Sequence, residues 1–269
     1  NGRVITTIEV DSTRINNDDS VIPITLIKNA VSSADLNLLH QGLLNPFEHE
    51  LYTDSDISCG LFLNPGVSLT TYETNVDEYG SDVTSDSIVH ASRVRFNSLS
   101  LAFWLNSVIA GPAVPKLIHR DGNWYRYIGV NPYFRFLKYE GGDKLLMPHL
   151  DGNPEAHSLT GDTAIGLLTM QLYLNDCPDS GTQFVDDRDA KMNSQGDYTS
   201  VITNPANIIA NVQAKAGTIA IFDGANIYHQ SAPTGNENSI KHTLLTELMY
   251  TKIPVPGTLQ PNIEIKTFL

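Results

Sequence analysis

Apolar residues recur along the chain with two different periods, and the change of period divides it into a helical and a strand-forming part. Val21-Ile-Pro-Ile-Thr-Leu-Ile27 reads as a strand. It leads into Ser33-Ala-Asp-Leu-Asn-Leu-Leu-His40, where Leu36, Leu39 and Leu43 return at helical spacing behind an N-cap serine, Ser32 or Ser33. A second helix is predicted over Leu99 to Ile109, stopped by Gly111-Pro112 and burying Leu101, Phe103, Trp104, Leu105 and Val108. Further on the pattern turns to strands: Phe134 to Tyr139, Ile165 to Leu174, Thr218 to Phe222 and Thr243 to Tyr250. Gly-Gly, Asp-Ser-Gly, Asp-Gly-Ala and Thr-Gly-Asn turn signals separate them. Short strands with frequent turns predict a sandwich or jelly roll. The stretch from about Asp186 to Asn211, rich in Asp, Asn and Ser and without a period, reads as a long insertion between strands.

Length and composition narrow the partners. At 269 residues, with no repeat and no Pro/Ser-rich linker, the chain suits one large, mainly β domain. A formal net charge of -13 argues against nucleic acid and anionic membrane as partners, because both repel it. No apolar run approaches the roughly 18 residues of a membrane span; Leu99 to Val114 is interrupted by Asn106, Ser107, Gly111 and Pro112. Cys59 and Cys177 are too few for a disulfide framework and read as reduced thiols. The lack of an Asn-x-Ser/Thr sequon points to a cytoplasmic setting, while the start at Asn1 leaves a trimmed targeting segment open.

The chemistry concentrates in Met147-Pro148-His149-Leu150-Asp151-Gly152. Residues two apart on an extended segment share a face, so His149 and Asp151 can grip one cation. His229, in Asn226-Ile227-Tyr228-His229-Gln230, supplies a third ligand from a distant strand. Two histidines and one carboxylate form the facial triad that suits non-haem Fe(II) and leaves coordination positions open. A His-x-Asp pair alone is commonplace, and it is the neighbouring motifs that give this one meaning.

Those motifs are Tyr133-Phe-Arg-Phe-Leu-Lys-Tyr139-Glu-Gly-Gly-Asp143, Leu167-Leu-Thr-Met-Gln-Leu-Tyr-Leu-Asn-Asp176, Gly181-Thr-Gln-Phe184, Ala216-Gly-Thr-Ile-Ala-Ile-Phe222 and Lys241-His-Thr-Leu-Leu-Thr-Glu-Leu-Met-Tyr250. In this order the chain resembles the 2-oxoglutarate/Fe(II)-dependent oxygenase superfamily, in its prolyl 4-hydroxylase-like branch. The resemblance implies a double-stranded β-helix (jelly roll) core over 126–252, a supporting strand and helix region over 1–125 and a C-terminal tail over 253–269, all in a single oxygenase domain. It implies His149, Asp151 and His229 as iron ligands, 2-oxoglutarate and O2 as co-substrates, and ascorbate as a candidate reductant. Lys241, ending Gly235-Asn-Glu-Asn-Ser-Ile-Lys241, becomes the cation for the distal carboxylate of 2-oxoglutarate; its interval from His229 is longer than the family's, so the loop must bulge. Tyr139 and Thr182 match positions that help seat that carboxylate. The retained Asp151 argues against the halogenases, where a small residue replaces it.

The implied activity is hydroxylation of an unactivated C–H bond, first of a peptidyl proline. The alternative is a free amino acid or another small natural product. Two other readings stand beside these: a non-catalytic jelly-roll binding or sensor module, and a cupin-type metalloenzyme without 2-oxoglutarate, which leaves Lys241 without a purpose. Tyr133, Trp124, Arg126 and Arg135 lie near the core in sequence and read as packing or surface residues.

Overall fold

The computed structural model describes residues 2–9, 23–48, 69–73, 91–140, 147–153, 155–157, 163–186, 202–232 and 238–254. Both expected helices form. α1 (Ser33–Glu48) begins behind Ser32, whose hydroxyl accepts from the Asp35 amide at 3.2 Å, so Ser32 rather than Ser33 is the cap. α2 (Leu99–Ile109) is capped by Ser98, whose side chain accepts from the Leu101 amide. Leu36, Leu39 and Leu43 of α1 are buried, as are Leu101, Leu105 and Val108 of α2. Phe103 departs from expectation: it is 73% exposed, because its place in the helical turn carries it to the face opposite Leu101 and Leu105.

The strands arrange as two sheets. In the larger, β1 (Val4–Ile8), β2 (Ile24–Lys28), β12 (Ile219–Phe222), β9 (Thr163–Tyr173), β14 (Ile240–Lys252), β7 (Tyr133–Glu140), β4 (Ala91–Asn97) and β3 (Leu69–Glu73) lie side by side in that order. The hairpin β5 (Leu117–Arg120) and β6 (Asn123–Val130) extends the far end of β14, and β8 (Glu155–His157) flanks β9. The smaller sheet has the order β11 (Ile208–Ala214), β10 (Cys177–Val185), β13 (His229–Ser231). His149 adds a fourth rung beside β13 through an isolated antiparallel bridge to His229. Cys59 lies outside the described residues, and Cys177 is a buried, reduced thiol.

From β7 onward the chain alternates between the sheets: β7 in the large, 147–153 in the small, β9 large, β10 and β11 small, β12 large, β13 small, β14 large. Such alternation winds two four-stranded layers around one interior, which is a double-stranded β-helix. The segment expected to be an insertion up to Asn211 ends earlier: a 3-10 turn at Pro205–Asn207 hands over to β11 at Ile208, whose half-buried Ile208 and Ile209 hide the strand period among polar neighbours.

Two apolar clusters follow. One lies between the outer face of the large sheet and the helices, joining Phe134, Phe136, Leu168, Met170, Leu172, Leu244 and Leu248 to Leu36, Leu39, Leu101 and Leu105. The other fills the interior between the sheets with Ile24, Leu26, Tyr173, Phe184, Val212, Ala220, Phe222 and Ile227. Gly181 lets the small sheet close, since a Cβ there would strike the Val212 carbonyl. Leu172, fully buried in the outer cluster, sets the scale of that packing: Leu172→Ala is expected to cost about 2–5 kcal/mol, measurable as a lower urea midpoint at unchanged slope.

Candidate metal centre

The bridge between His149 and His229 is reciprocal. The His149 amide donates to the His229 carbonyl at 3.0 Å, and the His229 amide donates to the His149 carbonyl at 3.1 Å. Two residues bonded in this way stand directly opposite, so their side chains emerge on the same face, and the rings lie 4.2 Å apart between centroids. Asp151, two residues on from His149, returns to that face, and its amide donates to the Gly224 carbonyl at 2.8 Å. His149 Nε2 is 3.8 Å from Asp151 Oδ1, and His229 Nε2 is 3.6 Å from Asp151 Oδ2. One ligand atom from each of the three lies within 4.8 Å of the others.

The donor set is prepared for a cation. His149 Nδ1 lies 2.8 Å from the Met147 carbonyl and His229 Nδ1 lies 3.0 Å from the Ile227 carbonyl. A carbonyl can only accept, so each Nδ1 carries a proton, which leaves Nε2 as the nitrogen that can offer a lone pair to a metal. Asp151 Oδ2 accepts from the Thr169 hydroxyl, whereas Asp151 Oδ1 is buried and accepts no hydrogen bond. Burial by itself would raise this carboxyl. His229 beside it, with Arg135 and His149, outweighs burial and holds it well below the usual carboxylate range, so it is ionised. A divalent cation satisfies the bare oxygen and both Nε2 lone pairs at once, which neither a water nor a proton can do. Phe222, edge-on at 4.9 Å between centroids, and Phe184, tilted at 6.3 Å, flank the His229 ring.

Lys241, on β14, is fully buried in the same interior. Its Nζ donates to the Gly181 carbonyl at 2.8 Å and the Ser231 hydroxyl at 2.5 Å, and stands 4.2 Å over the Tyr139 ring. Burial pulls its ammonium down to about 7, against a small opposing effect of Cys177. Thr182 pairs with Ser231 across β10 and β13, accepts from the Tyr173 hydroxyl at 2.8 Å and donates to Gln171 Oε1 at 2.9 Å. The structure thus brings all six expected site residues to the facing sides of the two sheets, with Tyr139 presenting its ring face to the lysine.

Several neighbours were not anticipated. Thr169 and Gln171 sit two apart in an otherwise apolar strand, a pattern that marks a polar inner face. Arg135, expected as packing or surface, points inward and binds Glu247, while Trp124 and Arg126 do lie at the surface. Ser231 and Gly224 carry no local signal, since their roles depend on Lys241 and Asp151 arriving from elsewhere.

No protein-family model matches the chain, and no curated protein matches it in sequence. Among solved structures it is similar to a prolyl hydroxylase from Trichoplax adhaerens in complex with a hypoxia inducible factor oxygen degradation domain peptide fragment, at 12% identity and a TM-score of 0.47 over 85% of this chain and 83% of that one. It is also similar to a Pseudomonas putida prolyl-4-hydroxylase, at 10% identity and 0.46 over 86% and 92%. A third is HygX from Streptomyces hygroscopicus with nickel, 2-oxoglutarate and hygromycin B bound, at 10% identity and 0.42 over 85% and 82%. At such identities no residue role passes from these proteins to this chain.

Gly224 offers a test of the centre. A Cβ there would collide with Asp151 Oδ2 and the Thr169 hydroxyl. Gly224→Ala is therefore expected to lower Fe(II) or Ni(II) affinity by about ten- to a hundredfold in a chelator competition, with the far-UV circular dichroism retained.

Proposed function

We propose that the protein is a non-haem Fe(II)- and 2-oxoglutarate-dependent oxygenase that hydroxylates an unactivated C–H bond. The observation that carries the reading is that two prepared sites share one strand. Ser231, which holds Lys241 Nζ, lies two residues along β13 from His229, roughly 7 Å at the rise of a strand. A five-carbon dicarboxylate that chelates a metal at one end needs a cation about that far away at the other. His149, Asp151 and His229 would hold the iron, and Lys241, Ser231 and Thr182 would receive the distal carboxylate beside the Tyr139 ring.

Iron, 2-oxoglutarate and O2 together would supply the oxidation: O2 would take up four electrons, two from 2-oxoglutarate as it becomes succinate and carbon dioxide and two from the C–H bond, with one oxygen atom ending in succinate and the other in the hydroxyl group. The residues of the chain orient and exclude. Thr169 fixes one carboxylate oxygen so that the other faces the metal, and the two backbone-anchored imidazoles keep their Nε2 atoms on one side. Phe184, Phe222, Leu137 and Leu245 keep the chamber apolar around these groups and limit water. A cupin-type metalloenzyme accounts for the triad and leaves a buried lysine, at a cost in desolvation, with nothing to bind.

Anaerobic titration of the Fe(II)-loaded protein with 2-oxoglutarate is expected to give a saturable visible charge-transfer band. Asp151→Ala should abolish it, and Lys241→Ala should shift its half-saturation upward by at least tenfold; an unchanged half-saturation sinks the assignment of Lys241.

The lysine also predicts a pH dependence. With its ammonium near 7 in the free protein, an anion on Lys241 must draw in a proton above that pH. Apparent 2-oxoglutarate affinity should fall as pH rises from about 7 to 9, by up to about tenfold per unit. Calorimetry at pH 8 in two buffers of different ionisation enthalpy should report proton uptake on binding. The same depressed value means the folded chain binds fewer protons here than the unfolded chain, so this site's contribution to stability rises from about pH 7 to 10.5.

A further inference from the structure

Among the described side chains, the inner face of the large sheet carries a pair of charges that neither the metal nor a dicarboxylate at Lys241 employs. Along β14 the residues on that face are Lys241, Thr243, Leu245 and Glu247; along β7 they are Tyr139, Leu137, Arg135 and Tyr133, by the two-residue alternation that starts from the contact of Lys241 with Tyr139. Arg135 and Glu247 meet at 2.7 Å, with side chains 16% and 7% exposed. Asn131 holds the second oxygen of Glu247 through its Nδ2 at 2.7 Å, and its amide donates to the Glu247 carbonyl at 2.8 Å. The carboxylate is therefore fixed in place.

This pair borders the metal centre. Glu247 stands opposite Thr169 on the neighbouring strand β9, and Thr169 is the residue that holds Asp151. Directly opposed side chains of adjacent strands begin about 5 Å apart. Whatever lies with a C–H bond against the metal meets this wall.

A desolvated ion pair is a weak source of stability, since apolar residues of the same volume serve as well or better. Its place beside the reacting centre points to recognition. Resting on the oxygenase reading, we propose that Arg135 and Glu247 select the substrate, and that the substrate is a small α-amino-acid-like zwitterion whose carboxylate binds Arg135 and whose ammonium binds Glu247. The geometry favours this class because the two wall charges touch. They complement a ligand whose own opposite charges are neighbours, as they are on one α-carbon. A dicarboxylate or a polyamine would set one like charge against the wall, and a peptidyl proline carries no charge at the ring to offset the pair.

The test uses the wild-type protein loaded with Fe(II) and 2-oxoglutarate. The twenty free L-amino acids are added anaerobically while the charge-transfer band is followed, and aerobically while succinate is measured. The best responder is then compared with its α-N-acetyl form, its methyl ester and a prolyl peptide blocked at both ends. The expected result is that at least one free amino acid perturbs the band and stimulates succinate formation, and that each single block raises its half-saturation tenfold or more. In Arg135→Gln the penalty of the methyl ester should vanish while that of the acetyl group remains, a pattern that a general loss of packing would not produce. The inference is overturned if the blocked peptide responds as well as any free amino acid, or if no free amino acid responds while 2-oxoglutarate still binds. If 2-oxoglutarate itself gives no band, the oxygenase reading falls first.

Discussion

Two backbone hydrogen bonds between His149 and His229 hold this protein's chemistry together. They stitch the segment around His149 to β13 and set two imidazoles opposite one another, before any metal is considered. Because side chains alternate strictly along an extended chain, a slip of one residue here would turn a ring out of the chamber. The anchoring of Asp151 to the Gly224 carbonyl and the Thr169 hydroxyl depends on the same register. The smaller sheet is therefore the element on which the centre stands.

The larger sheet serves two purposes through one strand. The outward residues of β14, Leu244 and Leu248, belong to the cluster shared with the helices, and its inward residues run from Lys241 to Glu247. Burying that lysine costs desolvation, which is visible as its lowered ammonium. Among the described residues, the acceptors that meet it are the Gly181 carbonyl and the Ser231 hydroxyl. Neither of these is a negative charge, so the ammonium gains its full counter-charge when an anion arrives. On the proposed reading, the stability forgone in the free protein becomes selectivity for a carboxylate.

Much of the fold was legible. The helices at α1 and α2 and the strands β7, β9, β12 and β14 announce themselves by period, since each presents one continuous apolar face to the helix-side cluster. Phe103 shows the limit of the method: an apolar residue in an amphipathic helix need not lie on its buried face. Ile208 and Ile209 show another, because a strand of the smaller sheet that is only partly covered has too few apolar positions to display a period. Arg135 looked like a surface residue because an arginine in a strand usually is one, and only its pairing with Glu247 across β14 gives it an inward place.

The sequence by itself determined the candidate ligand types and their local spacing: His149 and Asp151 on one face, His229 to follow, and the cation Lys241 at the start of the last strand. Local covalent geometry sets those relations, so no neighbour is needed to read them. Tertiary structure alone decided that His229 lies opposite His149, that Ser231 and Gly181 rather than Thr182 hold the lysine, that Gly224 makes room for Asp151, and that Arg135 and Glu247 form a charged wall. Each of these depends on which strands become neighbours and in what register, and that is set by the packing of two sheets and two helices as a whole.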